Sequence, residues 1–304
     1  MRSCTRLSTT DDLEAPATAR GRPGVVLLAY AAVCVVWGST YLGIRVALES
    51  FPPFFIGAAR FVVAGAALFV FARARGERVP TRVEWGGALL TGTLLFVVGN
   101  GFVNLAERSV SSGLVSVLVA TMPLWATVFA RLFGEPLGRA EIAGIALGLV
   151  GVAVLNIGGD LRASPSGAAL ALLAPMGWAL GSMASRRLPA PPGMMRTAAP
   201  MLTGGGAMLL IGSATHEHLG AASARSVAAV AYLCIFGSLV GFSAFSYLLR
   251  HTRPALATSY AYVNPVIAVV LGVAFAGERF GVTSILGASI VLVAVVVVAR
   301  ARAG

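Results

Sequence analysis

The sequence predicts an all-α polytopic membrane protein in which ten transmembrane helices form two inverted five-helix repeats. Three observations lead to this prediction: a very apolar composition, ten separate apolar stretches, and a residue pattern that occurs once in each half. Of the 304 residues, 57% are hydrophobic and only 12% are charged, with a mean hydropathy of +0.85. Soluble domains contain about 45–50% apolar and about 25% charged residues, so a water-soluble fold is disfavoured.

Each apolar stretch is compatible with one transmembrane helix, which needs about 20 mostly apolar residues. The seventh stretch gives the weakest signal, because Pro200 and three consecutive glycines at 204–206 interrupt it. The predicted spans are residues 24–48, 53–73, 85–106, 110–133, 140–157, 166–187, 195–214, 226–249, 254–276 and 282–300. An even number of spans places both ends of the chain on the same side of the membrane.

The distribution of arginine predicts which side that is. All 23 basic residues are arginine, and the net charge is +11. The loops on the side of the termini hold 17 of them, the opposite loops hold 4, and two, Arg45 and Arg60, lie within spans. Because cytoplasmic loops are rich in basic residues, both termini are predicted to be cytoplasmic. Membrane orientation therefore explains the positive charge, and no nucleic-acid partner is expected.

The chain is predicted to comprise a tail and two repeats. The polar segment 1–23 is predicted to be a disordered cytoplasmic tail, since no apolar core directly follows its first arginines as it would in a cleaved signal peptide. Spans 1–5 form one repeat, residues 24–158, and spans 6–10 form the other, residues 159–304. Because five is odd, the second repeat enters the membrane from the opposite side, so the two repeats are inverted.

The internal repeat is visible in two matching blocks. Gly113 precedes Pro123 by ten residues, and Ala255 precedes Pro265 by ten residues. Each block ends in a Gly-Glu pair, at residues 134–135 and 277–278. Weak internal symmetry in an apolar chain is typical of secondary transporters. A proline inside a span frees a backbone carbonyl and kinks the helix, so Pro123 and Pro265 are predicted to have conformational roles.

The first spans carry a resemblance to a known family. Residues 37–45 read Trp-Gly-Ser-Thr-Tyr-Leu-Gly-Ile-Arg, a Pro-Pro pair follows at 52–53, and residues 58–61 read Ala-Ala-Arg-Phe. Together with the two Pro…Gly-Glu blocks, this set resembles the EamA-type branch of the drug/metabolite transporter superfamily over residues 25–300. Arg45 stands where that family commonly has lysine, and Arg60 matches the family's span-2 arginine.

The resemblance implies a fold, a location and a function. Members of the family have ten spans built from two five-span EamA repeats, and they export amino acids, other metabolites or toxic compounds, usually from the bacterial inner membrane. The resemblance also implies a central cavity lined mainly by spans 1, 3, 4, 6, 8 and 9.

Polar and aromatic side chains within the spans are the candidate substrate-binding residues, because polar groups in a bilayer usually face the protein interior or a water-filled cavity. Trp37, Tyr41 and Arg45 are spaced to share one helix face, and so are Asn100 and Asn104. Further candidates are Thr121, Trp125, Trp178, Ser243, Tyr247, Tyr260, Tyr262 and Asn264.

Each of these candidates also has a purely structural interpretation. Arg45 could extend its charged end to the outer membrane boundary. The two asparagines could hydrogen-bond neighbouring spans, and each aromatic ring could simply fill the bundle core. The sequence leaves these alternatives open.

The function predicted from these observations is an inner-membrane secondary transporter that exports a small polar or amphipathic metabolite, such as an amino acid or a related compound, by alternating access. Its expected partners are the solute and the lipid bilayer, and the chain is expected to be a monomer or a homodimer. No Asp or Glu lies at the middle of any predicted span. Proton coupling through a boundary group such as Glu107 and facilitated diffusion therefore both remain open.

The main alternative is an intramembrane enzyme that acts on a lipid or lipid-linked substrate. Such an enzyme would need a nucleophile and a base buried together, whereas all three histidines lie in predicted loops. The three cysteines show no metal-ligand spacing, and His216 with His218 would supply only two ligands. Neither a metal nor a cofactor is expected.

Overall fold

Ten helices make up the protein over residues 22–132, 134, 138–157, 164–252 and 259–303, the part of the chain that the computed structural model describes. Regular structure in these ranges is entirely helical, which confirms the predicted all-α class. In chain order the helices are α1 (Pro23–Ala47), α2 (Pro53–Ala74), α3 (Arg82–Ala106), α4 (Ser112–Leu132), α5 (Arg139–Ile157), α6 (Pro165–Arg187), α7 (Met195–Ala214), α8 (Ala224–His251), α9 (Tyr260–Ala276) and α10 (Val282–Ala303). They correspond in order to the ten predicted spans, whereas residues 1–21 of the predicted tail lie outside the described residues.

The surface of the helices matches a bilayer. Six helices, α1, α2, α3, α4, α6 and α8, are long and apolar enough to cross a membrane, and α9 and the Val282–Val298 part of α10 are shorter apolar helices. Large apolar side chains are exposed along the bundle, including Leu27, Leu28 and Leu210, which are 69–72% exposed. A surface of this kind is stable in hydrocarbon rather than in water, so the chain is a polytopic membrane protein.

Helix α7, the weakest span in the sequence, is continuous through Pro200 and its three glycines. Two of these glycines allow close approach of neighbouring backbones. A Cβ atom at Gly204 would lie 2.6 Å from the Gly92 carbonyl oxygen of α3, and one at Gly205 would lie 2.8 Å from the Val62 nitrogen of α2. The glycines that weaken the hydropathy signal therefore provide the packing surface of this helix.

Two glutamates link helices α2 and α7, one at each end of the pair. Each glutamate follows one of the two helices and accepts hydrogen bonds from the first residues of the other. Glu77, just after α2, accepts hydrogen bonds from the backbone nitrogens of Met194 and Met195 at the start of α7, both at 3.0 Å. Glu217, just after α7, accepts from the nitrogens of Phe54 and Phe55 at the start of α2, at 3.1 and 3.3 Å. Each helix therefore ends where the other begins, which makes the pair antiparallel.

A glutamate links α9 to α4 in the same way. Glu278, just after α9, accepts hydrogen bonds from the backbone nitrogens of Ser112 and Gly113 at the start of α4, at 2.7 and 3.2 Å. A carboxylate in this position satisfies amide groups that have no partner within the helix and complements the positive end of its dipole. The corresponding residues of the other block, Glu135 and Ala255, lie outside the described residues.

Helices α5 and α10 form a third pair between the two halves. Small residues bring their backbones together: a Cβ at Gly151 would lie 2.8 Å from the Val291 nitrogen, and one at Gly287 would lie 2.8 Å from the Leu155 nitrogen. Every helix of these three pairs thus packs on its counterpart from the other repeat. Helices of the two repeats are therefore packed among one another and do not form two separate bundles.

Two helices contain π-helical segments at matching places in the two halves, and a third is interrupted in the first half alone. Helix α3 is π-helical over Thr93–Gly101, and α8 is π-helical over Leu233–Val240. Helix α4 is interrupted between Val119 and Met122, immediately before Pro123, whereas α9 continues through Pro265. Short π-helical segments often occur at functional sites, so these two direct attention to the region between α3 and α8.

Candidate functional site

A cavity lies between the two halves of the bundle. It offers about 90 Å³ to the centres of water-sized molecules, enough for several waters or a small solute. Its aromatic lining consists of Trp37, Tyr41, Trp178, Phe242 and Tyr260, and its polar lining consists of Thr40, Arg60, Asn100, Ser116 and Asn264. These residues come from α1, α2, α3, α4, α6, α8 and α9. They include all six spans implied by the family resemblance, together with α2.

Trp37 is the centre of the aromatic wall. Its ring lies 4.8 Å from the Tyr260 ring centroid, 5.2 Å from Phe242 and 6.4 Å from Trp178. Its indole nitrogen donates a hydrogen bond of 3.0 Å to the carbonyl of Gly237, in the π-helical segment of α8. The irregular segment thus supplies an acceptor that fixes the orientation of this ring.

The two cavity tryptophans occupy equivalent places in the two repeats. Trp37 lies against Gly241 of α8, and Trp178 lies against Gly99 of α3, so closely that a Cβ atom at either glycine would overlap the indole. Each tryptophan ring can therefore occupy its position only because the residue that it contacts in the other half is glycine. This matched contact places one aromatic ring from each repeat on the cavity wall.

Among the described residues that line the cavity, Arg60 is the one that carries a charge. It is 5% exposed, and its Nε donates to the Ser238 hydroxyl at 2.8 Å while Nη2 donates to the Gly237 carbonyl at 3.2 Å. The sequence places this arginine within a predicted span, but it is not among the thirteen candidate residues. Its position as one of two arginines inside the spans was the signal that could have identified it.

Two amides complete the polar lining. The Asn100 side chain donates a 3.0 Å hydrogen bond to the Leu95 carbonyl, five residues earlier within the π-helical segment. Asn264, with its amide nitrogen turned toward the neighbouring acceptors, reaches the carbonyls of Cys34 at 3.1 Å and Tyr260 at 3.2 Å. Both asparagines therefore hold helix backbones in place at the cavity wall.

Six of the thirteen candidate residues from the sequence line this cavity: Trp37, Tyr41, Asn100, Trp178, Tyr260 and Asn264. The other seven do not. Two of these seven hydrogen-bond a neighbouring helix or loop. Arg45 donates to the backbone carbonyl of Glu107, and Asn104 donates to the carbonyl of Pro53 at 3.0 Å.

The remaining five have other surroundings. The Thr121 hydroxyl donates to the Leu118 carbonyl at 2.6 Å, at the interruption of α4, and Trp125 stacks on Phe129. Ser243 is an exposed residue of α8. Tyr247 stacks on His251, and Tyr262 packs against the main apolar cluster. None of these five side chains therefore lines the cavity.

A second polar cluster lies beyond the cavity, where α3 ends and α4 begins. Glu107, the first residue after α3, is completely buried, and neither of its carboxyl oxygens has a hydrogen-bond partner among the described residues. Burial raises the pKa of this carboxyl well above its ordinary value, and the nearby Glu278 carboxylate raises it further, while Arg45 opposes the shift. The neutral, protonated form is therefore favoured in the folded protein.

Metal binding has no support in the described part of the chain, where no three His, Cys, Asp or Glu residues form a group that could hold an ion. Cys34 and Cys234 are free and buried. The chemistry that the described cavity offers is therefore that of aromatic faces, amides, hydroxyls and one guanidinium.

Comparison with known families gives one match that covers nearly the whole chain. A sequence model described as the EamA-like transporter family matches residues 22–157 and again residues 165–300. The two matches correspond to α1–α5 and α6–α10.

Curated relatives are named as transporters. The protein named "Uncharacterized inner membrane transporter YedA" of Escherichia coli (strain K12) is 43% identical over 269 residues, which cover 88% of each chain. The "Probable amino-acid metabolite efflux pump" of the same strain is 27% identical and covers 86% of this chain and 90% of its own. The "Probable terminal-alkyne amino-acid exporter" of Streptantibioticus cattleyicolor is 26% identical and covers 89% and 92%.

One solved crystal structure has the same fold. It superposes on 93% of this chain and 98% of its own with a TM-score of 0.63, at 21% sequence identity. At this identity the likeness concerns the arrangement of helices alone.

Proposed function

Because the chain belongs to the EamA-like transporter family, we propose that it exports a small polar or amphipathic metabolite, such as an amino acid or a related compound, by alternating access. Its family and its relatives are named as transporters or exporters, so the enzyme alternative is set aside. Two relatives are named as exporters of amino acids or their metabolites, which supports both the direction and the solute class of the proposal.

The cavity between the halves is the observation that carries this proposal. Its wall takes Trp37 from one repeat and Trp178 from the other, each seated on a glycine of the opposite half. A binding site at the interface of two inverted repeats can open to either side when one half moves relative to the other. A mixed lining of aromatic rings, amides and one cation suits a solute that has both an apolar and a polar part.

We further propose that the protein lies in the inner membrane with both termini in the cytoplasm. The 43% identical relative is named an inner membrane transporter, and the arginine distribution favours this orientation. The exposed positions Ala222 and Pro192 lie on opposite sides in this topology. In a Cys4→Ser background, Ala222→Cys should react with an impermeant maleimide in cells with a permeabilised outer membrane. Pro192→Cys should react only after the inner membrane is opened, and the reverse pattern would refute the orientation.

Solute efflux from proteoliposomes tests the transport proposal. Vesicles preloaded with a panel of amino acids, nucleosides and dyes should lose one solute class faster with the wild-type protein than without it. Asn100→Ala and Tyr41→Phe, which change the cavity wall, should slow this efflux. Ser289→Ala, which removes an exposed hydroxyl on α10, serves as the matched control. If correctly inserted protein moved no solute, or if the control slowed efflux as much as the cavity variants, the proposal would be wrong.

A further inference from the structure

The charge of Arg60 has no counter-ion among the described residues. Among the described residues, no carboxylate lies within 4.0 Å of its guanidinium, and the ion pairs Arg78–Glu84 and Arg225–Glu49 involve other arginines. Neither pair reaches the cavity, and none of the described residues that line it is acidic. An isolated cation within a membrane protein is costly, and such groups usually mark the path of a substrate or an ion.

The hydrogen bonds of Arg60 leave part of its guanidinium available. Nε and Nη2 donate to neutral oxygens of α8, whereas Nη1 has no protein partner among the described residues. The neighbouring Phe61 ring lies 4.9 Å from the guanidinium carbon and adds a weak cation–π contact. These contacts orient the group from one side but do not neutralise it, because every acceptor that it meets is uncharged.

Resting on the proposed transport function, we propose that Arg60 binds the carboxylate of the transported solute in the cavity. A guanidinium presents its N–H groups as a planar fork that matches the two oxygens of a carboxylate. The aromatic wall around Trp37 and Trp178 would then contact the apolar part of the same solute. The solute class that follows is a monocarboxylate with an apolar body.

The balance of charge favours a carboxylate over a phosphate ester. One guanidinium neutralises one negative charge, whereas a phosphate monoester carries about −1.5 to −2 at neutral pH. The excess would remain buried in a cavity that has no second cation in its lining. A purely cationic solute is disfavoured for the opposite reason, since it would place two positive charges in one small cavity.

Acid–amide pairs test this inference directly, because each pair differs only at the carboxylate. Suitable probes are N-acetyl-leucine, N-acetyl-valine and cyclohexanecarboxylate, each compared with its primary amide and with phenyl phosphate as an additional arm. Binding to purified protein in nanodiscs is followed by tryptophan fluorescence, since Trp37 and Trp178 line the cavity. At least one acid should bind about tenfold or more tightly than its amide, as expected for charge-assisted hydrogen bonds.

Three variants separate the charge of Arg60 from its structural contacts, and a fourth serves as the control. Arg60→Gln should abolish the preference for the acid, and Arg60→Lys should retain part of it. Ser238→Ala removes an acceptor of Arg60 while keeping the charge, so the preference should persist. The control variant Arg225→Gln removes an exposed arginine in the first turn of α8, away from the cavity, and should leave the preference unchanged.

The outcomes distinguish failure of this inference from failure of the transport proposal. Acid binding that depends on Arg60, without efflux of any solute, would support the carboxylate site and refute the transport function. Efflux of a neutral solute that Arg60→Gln leaves unchanged would support transport and overturn the carboxylate site. Equal binding of acids and amides, tighter binding of phenyl phosphate, or no binding of any acid would each overturn the inference.

Discussion

The carboxylates that join α2 and α7 allow a quantitative prediction about stability. Glu77→Ala removes two hydrogen bonds at the start of α7, and Glu217→Ala removes two at the start of α2. Loss of an N-terminal helix cap costs about 0.5–2 kcal/mol, and hydrogen bonds to charged groups contribute about 1.5–3 kcal/mol each when fully desolvated. Both carboxylates are only partly buried, so we expect about 1–3 kcal/mol for each variant.

The assay is the midpoint of thermal unfolding in detergent, with Glu49→Ala as the matched control. Glu49 is also a glutamate near the end of a helix, but its ion pair with Arg225 is 3.5 Å long and exposed on both sides. Exposed pairs of this kind contribute about 0–1 kcal/mol, so the control should lower the midpoint least. Because Glu77 and Glu217 bind opposite ends of the helix pair, the double variant should show the sum of the two effects within about 0.5 kcal/mol.

One result would refute this reasoning. If Glu77→Ala and Glu217→Ala lowered the midpoint no more than Glu49→Ala, the cross-repeat caps would contribute nothing beyond ordinary surface charges. A double variant much less stable than the sum would show that the two ends are energetically coupled, which the separate contacts do not predict.

Three further predictions concern single positions. Gly99→Ala should displace the Trp178 ring and slow efflux, and normal efflux with unchanged tryptophan fluorescence would contradict the close contact. Asn104→Ala should lower the unfolding free energy by about 1 kcal/mol through loss of its bond to Pro53 but leave solute preference unchanged, as checked by thermal melts and efflux of the solute panel. Glu107 binds its proton more tightly in the folded protein, so its contribution to stability is lost as the pH rises above the ordinary carboxyl value of 4.5. Glu107→Gln should therefore lose less thermal stability than the wild type between pH 5 and 8, and parallel pH profiles would show that Glu107 is not the responsible group.

The sequence predicted the helices because the length of an apolar stretch and the periodicity of its residues are local properties. It also placed Trp37 and Tyr41 on one face of α1, and the structure brings both to the cavity. Tyr260 and Tyr262 could not both reach it, because residues two positions apart point to nearly opposite sides of a helix. Only the packing of α9 against its neighbours decides that Tyr260 faces inward.

Other features of the site could not be predicted from residues that are neighbours in the sequence. Asn100 and Asn104 share a face in a regular α-helix, but the π-helical segment widens the turn around Asn100, and the two side chains have different surroundings. Nothing in the residues of this segment marks it as π-helical. The caps by Glu77 and Glu217 join residues more than 100 positions apart, so they appear only when the helices are assembled.

The reciprocal caps have a consequence for the order in which the membrane bundle is assembled. The start of α2 obtains its carboxylate from a residue 163 positions later in the chain, and the start of α7 obtains its carboxylate from one 117 positions earlier. During synthesis, the first repeat therefore enters the bilayer before the carboxylate that caps α2 has been made, and this cap forms only after α7 has been inserted and its following loop has formed. The second repeat meets no such delay, since Glu77 is already in place. The two repeats thus have similar architecture but unequal biogenesis, because the start of α2 in the first repeat is capped only after the loop that follows α7 has been translated.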